Sequence, residues 1–166
     1  MICPSCGFQN MQGDDNCANC GADLRTADVP QPGNVFEAQL VGEHLSDLEP
    51  RAPITVAATD TVADAIKRMQ DENYGAVLVS DGSQLVGVFT ERDAVMKVAG
   101  RAMDGLTVAD VMTPDPVVLR KEDSVAVAIH KMASGGFRHI PVVEGGVATG
   151  IVSSRDIVSH LIELLG

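Results

Sequence analysis

The strongest constraint on the fold is an internal repeat at a fixed offset of 63 residues. Residues 47–98 align with residues 110–161 without a gap, and 14 of the 52 aligned pairs are identical. The identical pairs include Pro53/Pro116, Asp60/Asp123, Met69/Met132, Gly87/Gly150 and Asp93/Asp156. Many other pairs exchange one apolar residue for another. This register predicts two copies of one fold. A half of about 60 residues is marginal alone, so we expect the copies to share a core.

Hydrophobic periodicity predicts the order β-α-β-β-α in each half. In the first half we expect strands over 54–56, 76–79 and 85–89. Asp60 or Thr59 is expected to cap a helix with apolar residues at Val62, Ala65, Ile66 and Met69. Thr90 is expected to open a last helix that carries Ala94, Val95 and Val98. In the second half we expect strands over 117–119, 138–143 and 148–152, and helices over 125–132 and 154–164.

The four cysteines form two Cys-x-x-Cys pairs, Cys3/Cys6 and Cys17/Cys20, and a glycine follows each pair. A two-residue spacer lets both thiolates face one ion, and the glycine permits the positive φ of such a turn. Two turns supply the four-sulfur set that Zn²⁺ favours, although iron fits the same cage. Disulfides suit secreted chains, whereas this N-terminus lacks the basic and apolar stretches of a secretory signal. We therefore predict a metal module over 1–26 that resembles zinc ribbons and folds with its metal.

Charge excludes several function classes. The chain has 23 acidic and 12 basic residues, a net charge of −11, and the segment 27–50 has no base. Nucleic-acid binding needs clustered Lys and Arg, so we do not expect it. No apolar run approaches the roughly 20 residues of a membrane span, so we expect a cytoplasmic protein. Prolines and acids over 27–40 predict a solvated linker.

The last strand of each half enters its helix through one motif, Gly-x-x-Thr/Ser-x-x-Asp, at 87–93 and at 150–156. Thr or Ser followed three residues later by an acid is a capping box, which by itself has a structural role. A helix start also suits phosphate, and a carboxylate there can accept hydrogen bonds from a vicinal diol. An arginine precedes each Asp, at Arg92 and Arg155, and could pair with phosphate.

Together these features resemble a tandem pair of cystathionine-β-synthase-type (CBS) domains, a Bateman module, over about 41–166. The resemblance also rests on the lead-in Val111-Met112-Thr113-Pro114-Asp115-Pro116-Val117 and on Arg138-His139-Ile140-Pro141-Val142-Val143. It implies an α+β fold in which repeats 41–105 and 106–166 pack as a pseudo-twofold pair, beside an N-terminal zinc ribbon with four cysteine ligands. It also implies a homodimer, and a regulatory module that binds adenosine-containing ligands in clefts between the repeats.

The resemblance assigns roles to individual residues. Asp93 and Asp156 would hold ribose hydroxyls, and Thr90 and Ser153 would lie near phosphates. The base would be bordered in repeat two by Thr113, Asp115 and Val117. In repeat one it would be bordered by Arg51 and Ile54. Arg138 and His139 match phosphate-side positions, where repeat one has Gly75 and Ala76. We therefore expect the cleft with Arg138 and His139 to take the charged ligand, and the other to be empty or to hold a neutral adenosine moiety.

Three functions follow from these features. The first is a sensor in which an adenine nucleotide such as AMP, ADP or ATP changes the state of the zinc ribbon or of a protein partner. The second is a nucleic-acid-binding or transcription-associated protein, which the scarcity of bases disfavours. The third is a rubredoxin-like iron electron carrier with a CBS regulatory module. No nucleophile–base pair or Walker-type loop stands out, so we do not expect an enzyme. We expect His44, His130 and His160 to be ordinary surface residues.

Overall fold

The computed structural model describes residues 2–3, 5–10, 14–24 and 40–166, which form two compact units. Unit one contains the described part of Met1–Pro50 together with Val117–Val142 and Val152–Gly166. Unit two contains Arg51–Pro116 and Val143–Ile151. Except for Leu40, the predicted linker over 27–40 lies outside the described residues. No helix in the described part is long and apolar enough to cross a membrane.

Unit two is built on a four-stranded sheet whose strands lie side by side in chain order. Strand β1 (Thr55–Ala57) runs parallel to β2 (Ala76–Asp81), and β3 (Gln84–Thr90) is antiparallel to β2. The short β4 (Thr113–Pro114) adds to the far edge of β3. The predicted strands over 76–79 and 85–89 are therefore the two central strands of the sheet, β2 and β3. Strand β3 ends at Thr90, where the motif leads into its helix.

Helix α1 (Val62–Asp71) covers one face of this sheet. Its predicted core residues Val62, Ala65 and Met69 are buried, as the apolar spacing requires. The N-cap is Thr61, whose Oγ1 accepts a hydrogen bond from the Asp64 amide. The prediction of Thr59 or Asp60 as the cap was wrong by one or two residues.

The motif of repeat one leads into α2 (Glu91–Asp93), which continues as a π-helical turn over Ala94–Val98. The π turn is closed by a hydrogen bond from the Ala99 amide to the Ala94 carbonyl at 3.2 Å. Val98 is buried, but Val95 is exposed, so the predicted apolar face of this helix is only partly correct. Isolated π turns often occur at functional sites.

Unit one contains helices α3 (Val125–Gly135) and α4 (Ser154–Leu165). Helix α3 begins at the Ser124 cap and ends at Gly136, which has a φ of 68°. Its buried face packs in one apolar cluster with residues of the preceding segments, of the two strands that follow it and of α4, namely Leu40, Leu45, Leu119, Ile140, Val152 and Ile157. Met132 belongs to this cluster, as its spacing predicted.

The remaining strands of repeat two are β5 (His139–Glu144) and β6 (Val147–Ser153), which form a two-stranded sheet. The turn joining them places Gly145 and Gly146 at φ values of 58° and 82°, a conformation that favours glycine. With α3 and α4 they give repeat two the last four elements of the predicted β-α-β-β-α order. The protein is therefore of the α+β class.

The predicted strand over 117–119 is the main error in the fold. Leu119 makes only a single parallel bridge, to Val142. In repeat one the Leu78 amide donates to the Ile54 carbonyl at 2.8 Å. Pro141 occupies the position of Leu78 in repeat two and has no N–H, so the equivalent bond to Val117 cannot form.

Candidate functional site

The four cysteines converge on one point in unit one. Their Sγ atoms all lie within 4.8 Å of one another. Cys3 Sγ lies 3.7 Å from Cys20 Sγ, and Cys6 Sγ lies 3.6 Å from Cys17 Sγ. A tetrahedral zinc ion with bonds of about 2.3 Å to sulfur needs sulfur–sulfur edges of roughly 3.8 Å. The donor set therefore fits one tetrahedral ion, as the sequence predicted.

Two matching turns present these thiols. In each, the amide of the first cysteine bonds to a carbonyl five residues on, and the glycine amide bonds back to the cysteine carbonyl at 2.8–2.9 Å. Gly7 and Gly21 adopt φ values of 71° and 72°. The glycines are therefore needed for the left-handed conformation that closes each turn.

The thiols of Cys17 and Cys20 have pKa values shifted in opposite directions. Burial tends to raise the pKa of the Cys17 thiol, but amides of Cys20 and Asn19 and the side chain of Asn10 lower it to about 6. The Ala22 amide tends to lower the pKa of Cys20, but hydrogen bonds with the other sulfurs raise it to about 12. Four thiolates at this spacing repel one another, so a bound cation is required to keep all of them deprotonated.

Asn10 is a supporting residue that the sequence did not reveal. It is buried, its Nδ2 lies 3.5 Å from Cys17 Sγ, and its Oδ1 accepts a bond from the Ala18 amide. It therefore holds the second turn in place next to the sulfurs. Its position between the two pairs gave no periodic signal.

The capping box of repeat one forms in unit two. Asp93 Oδ2 accepts bonds from the Thr90 amide at 3.0 Å and from Thr90 Oγ1 at 2.8 Å. Thr113 Oγ1 lies 3.3 Å from Asp93 Oδ1. Three residues predicted for the site, Thr90, Asp93 and Thr113, are thus brought together.

Lys97 completes this cluster and was not predicted. Its Nζ lies 2.8 Å from Asp93 Oδ1 and 2.9 Å from the Val111 carbonyl. Burial tends to raise the pKa of Asp93, but hydrogen bonds from Lys97 and Thr90 outweigh it and hold the pKa below its usual range. Both oxygens of Asp93 are therefore engaged within the chain.

The capping box of repeat two forms in unit one with the same use of Oδ2. Asp156 Oδ2 accepts bonds from the Ser153 amide and from Ser153 Oγ, each at 2.7 Å. Among the residues that the structure describes, none donates a hydrogen bond to Asp156 Oδ1. One oxygen of this carboxylate is thus available.

Asp156 lines an open cavity of about 340 Å³ in unit one. The other lining residues are mostly acidic or polar: Asp47, Leu48, Glu49, Ser159, His160 and Glu163. His160 stands where repeat one has Lys97, yet its Nε2 lies 3.3 Å from Glu43 Oε2. Its side chain is only 14% exposed, so the prediction of an ordinary surface histidine was wrong.

The predicted phosphate-side residues Arg138 and His139 lie at the start of β5, which is hydrogen-bonded to the start of α4. The Arg138 carbonyl accepts a bond from the Ser154 amide at 2.9 Å, which fixes residue 138 beside the capping box. Arg138, Arg155 and Arg92 have exposed side chains, whereas His139 is half-buried. Arg138 and Arg155 therefore lie in the two segments that adjoin Ser153, whereas Arg92 belongs to repeat one.

The other predicted residues lie in unit two, except Val117, which belongs to unit one. Arg51 packs over the Tyr74 ring at 3.9 Å from its centroid, a cation–π contact that was not foreseen. Ala76 is buried and pairs with Thr90, so its side chain is not accessible. Asp115 is exposed with a left-handed φ of 45°, and Ile54 and Val117, the latter in unit one, are half-buried.

The chain belongs to the CBS-domain family. The family's sequence profile matches residues 45–100 and 108–163, which together exceed half of the chain. The Bacillus subtilis protein YlbB is 39% identical over 101 residues, covering 59% of this chain and 68% of YlbB. A 17.7 kDa protein of Acidianus ambivalens is 36% identical over 106 residues, covering 63% of this chain and 64% of the relative. The chain thus spans about two thirds of these relatives.

Solved CBS structures share the fold. Protein ATU1752 of Agrobacterium tumefaciens is 34% identical with a TM-score of 0.64, covering 70% of this chain and 94% of that one. The CBS domain pair of protein MJ0100, crystallised with 5′-methylthioadenosine and S-adenosyl-L-methionine, is 25% identical with a TM-score of 0.65. That match covers 74% of this chain and 99% of the MJ0100 chain.

Proposed function

We propose that this protein is a non-catalytic, cytoplasmic regulatory protein that binds an adenosine-containing ligand at the capping box of repeat two. Asp156 Oδ1 would accept the ribose hydroxyls, and Arg138 with the start of α4 would meet a phosphate. The observation that carries this proposal is the available oxygen of Asp156, a residue that lines an open cavity of about 340 Å³. The adenosine ligands of the MJ0100 domain pair support the ligand class.

The lining of the cavity also bears on ligand charge. Asp47, Glu49, Asp156 and Glu163 are all acidic. A single phosphate beside Arg138 is compatible with this environment, whereas further phosphates would be repelled unless they remain at the exposed helix start. We therefore expect AMP and 5′-methylthioadenosine to bind more tightly than ATP.

A thermal-shift panel of AMP, ADP, ATP, NAD, S-adenosylmethionine and 5′-methylthioadenosine tests the proposal. A ligand at 100 times its Kd stabilises by about 2.7 kcal/mol, which raises the Tm of a chain of this size by roughly 5–10 °C. Asp156→Asn should abolish the shift. Asp110→Asn is the matched control, because Asp110 forms the same box with Thr107 at 2.7–2.9 Å. If none of these compounds shifts the Tm, the proposal is contradicted.

We further propose that Cys3, Cys6, Cys17 and Cys20 hold one Zn²⁺, which would cross-link the two turns of a module whose own buried cluster is only Cys3, Cys17 and Leu24. Iron in the same cage is the alternative. Elemental analysis and the visible spectrum of the purified protein distinguish the metals. Chelation should collapse the amide NMR dispersion of residues 2–24, and retained dispersion would show that the module does not depend on metal.

Signalling is proposed to pass between this module and repeat two, or from the module to a protein partner. Asp15 forms an ion pair with Arg120, and Leu24 lines one small cavity together with Val118 and Val127. Module and repeat thus share contacts within unit one. Ligand binding to repeat two should shift module amide resonances in wild-type protein but not in Asp156→Asn.

We also propose a homodimer. Val158, Ile162 and Leu165 lie on one face of α4 and are 54–72% exposed. An apolar helical stripe of this kind is typical of an interface. The mass from light scattering should be that of two chains, and Ile162→Arg should halve it.

A further inference from the structure

We infer that Lys97 occupies the diol-binding position of repeat one, so that the unmodified chain binds the adenosine ligand only at repeat two. This inference rests on the proposed function. It goes further by assigning to Lys97 the role of a built-in competitor for Asp93. It also predicts one ligand per chain although the motif is present twice.

The two repeats offer an internal comparison. Asp93 and Asp156 are equivalent at the offset of 63, and both use Oδ2 to cap their helix at 2.7–3.0 Å. They differ in burial, since Asp93 is buried and Asp156 half-buried, and in what meets Oδ1. In repeat one Oδ1 meets the Lys97 ammonium at 2.8 Å and Thr113 Oγ1 at 3.3 Å, whereas His160, the equivalent of Lys97, contacts Glu43 at 3.3 Å.

Lys97 is bound more completely than an ordinary helix-surface lysine. Its ammonium has three N–H groups. One meets Asp93 Oδ1 and one the Val111 carbonyl at 2.9 Å, while the Met112 carbonyl and Thr113 Oγ1 both lie at 3.5 Å. A surface pair of this spacing would not also bind carbonyls of another segment. The ammonium therefore bridges Asp93, at the end of α2, and Val111, in the lead-in of repeat two.

Burial favours the lysine over a diol. The Asp93 side chain is only 12% exposed. Hydrogen bonds with one ionised partner are roughly twice as strong as those between neutral groups, and in the Lys97–Asp93 pair both partners are ionised. A ribose diol would replace one charged donor by neutral hydroxyls and leave the ammonium without its carboxylate. No such exchange is required at Asp156.

Isothermal titration with 5′-methylthioadenosine and with AMP tests the inference. Wild-type protein should bind one equivalent, and Asp156→Asn should bind none. Lys97→Met removes the ammonium but keeps an unbranched stem, so it should bind two equivalents. The double variant K97M/D156N should bind one, now at Asp93. Lys97→Arg keeps the cation and should remain at one. Lys67→Met, an exposed lysine of α1, is the matched control and should also remain at one.

The outcomes separate this inference from the proposed function. The inference is overturned, and the proposed function is not, if wild type binds two equivalents of ligand. The same holds if K97M unfolds like wild type and still binds only one equivalent. Weaker AMP binding in K97M also overturns it, because Lys97 would then be a ligand contact. If K97M is destabilised, the NMR resonance of the Lys97 amino group in wild type decides: an ammonium protected from exchange supports the inference, and a freely exchanging one overturns it. No binding by wild type or any variant overturns the proposed function itself.

Discussion

Gly87 is the first residue of the repeat-one motif. We predict that any side chain at this position destabilises the fold, because a Cβ would clash with its neighbours and not because of the backbone conformation. It is buried in β3 and pairs with Pro114 of β4. A Cβ at this position would lie 2.5 Å from Met112 Sδ and 3.1 Å from the Thr113 carbonyl oxygen. Its φ is not in the left-handed region. Gly87→Ala should therefore push β4 and the lead-in of repeat two away from β3.

The magnitude follows from which neighbour can move. Overpacking a core by one methyl group destabilises by about 1–3 kcal/mol. The Met112 side chain is flexible, but the Thr113 carbonyl belongs to the backbone, so we expect about 2 kcal/mol. At roughly 2–4 °C per kcal/mol, the Tm should fall by about 4–8 °C. Gly42→Ala is the control: Gly42 is exposed and helical with nothing within 4 Å, and alanine there should not destabilise.

A double-mutant cycle with Met112→Ala sharpens the test. Met112 packs against the core of unit two, so its truncation is destabilising in the wild-type background. In the Gly87→Ala background the same truncation removes the contact at 2.5 Å and should destabilise less. Urea unfolding measures all four proteins. Strict additivity, or a Gly87→Ala protein as stable as wild type, refutes the steric explanation.

Three further predictions follow from individual contacts. Arg120→Glu should shift the amide resonances of the cysteine module, and adding Asp15→Arg should restore them, because the ion pair joins the two. The pKa of Asp93 is lowered, so its stabilising effect is complete above the ordinary Asp value of about 3.9 and is lost as the pH falls through the lowered pKa. The Tm advantage of wild type over Asp93→Asn should therefore shrink only below about pH 4. Pro141→Leu supplies an amide for the Val117 carbonyl, and hydrogen exchange at residue 141 should be slow.

The sequence predicted those features that depend on spacing. The apolar period placed Val62, Ala65 and Met69 on the buried face of α1, and the two Cys-x-x-Cys pairs predicted a cluster of four sulfurs. It failed where one residue changes a local bond. Pro141 looked like part of a strand, yet its missing N–H removes the ladder bond to residue 117.

The site shows the same limit. The motif predicted that Thr90 would meet Asp93, because capping is a local interaction over three residues. Lys97 was missed because its importance depends on carbonyls of residues 111 and 112, which are distant in sequence. Spacing cannot show which of several lysines reaches such a partner. Comparing positions 97 and 160 across the repeat could have marked the difference, since it replaces Lys by His.

A duplicated motif in an acidic chain can thus give two unlike sites without any change in the motif itself. Both helix starts retain the hydroxyl, the carboxylate and the preceding arginine, so capping alone does not distinguish them. The distinction arises one helical turn later, where Lys97 of repeat one forms an ion pair with Asp93. With His160 turned to Glu43, the carboxylate of repeat two keeps one oxygen for an external donor. The net charge of −11 therefore sets the general environment. In the proposed assignment, the position of one ammonium group determines which repeat accepts the ligand.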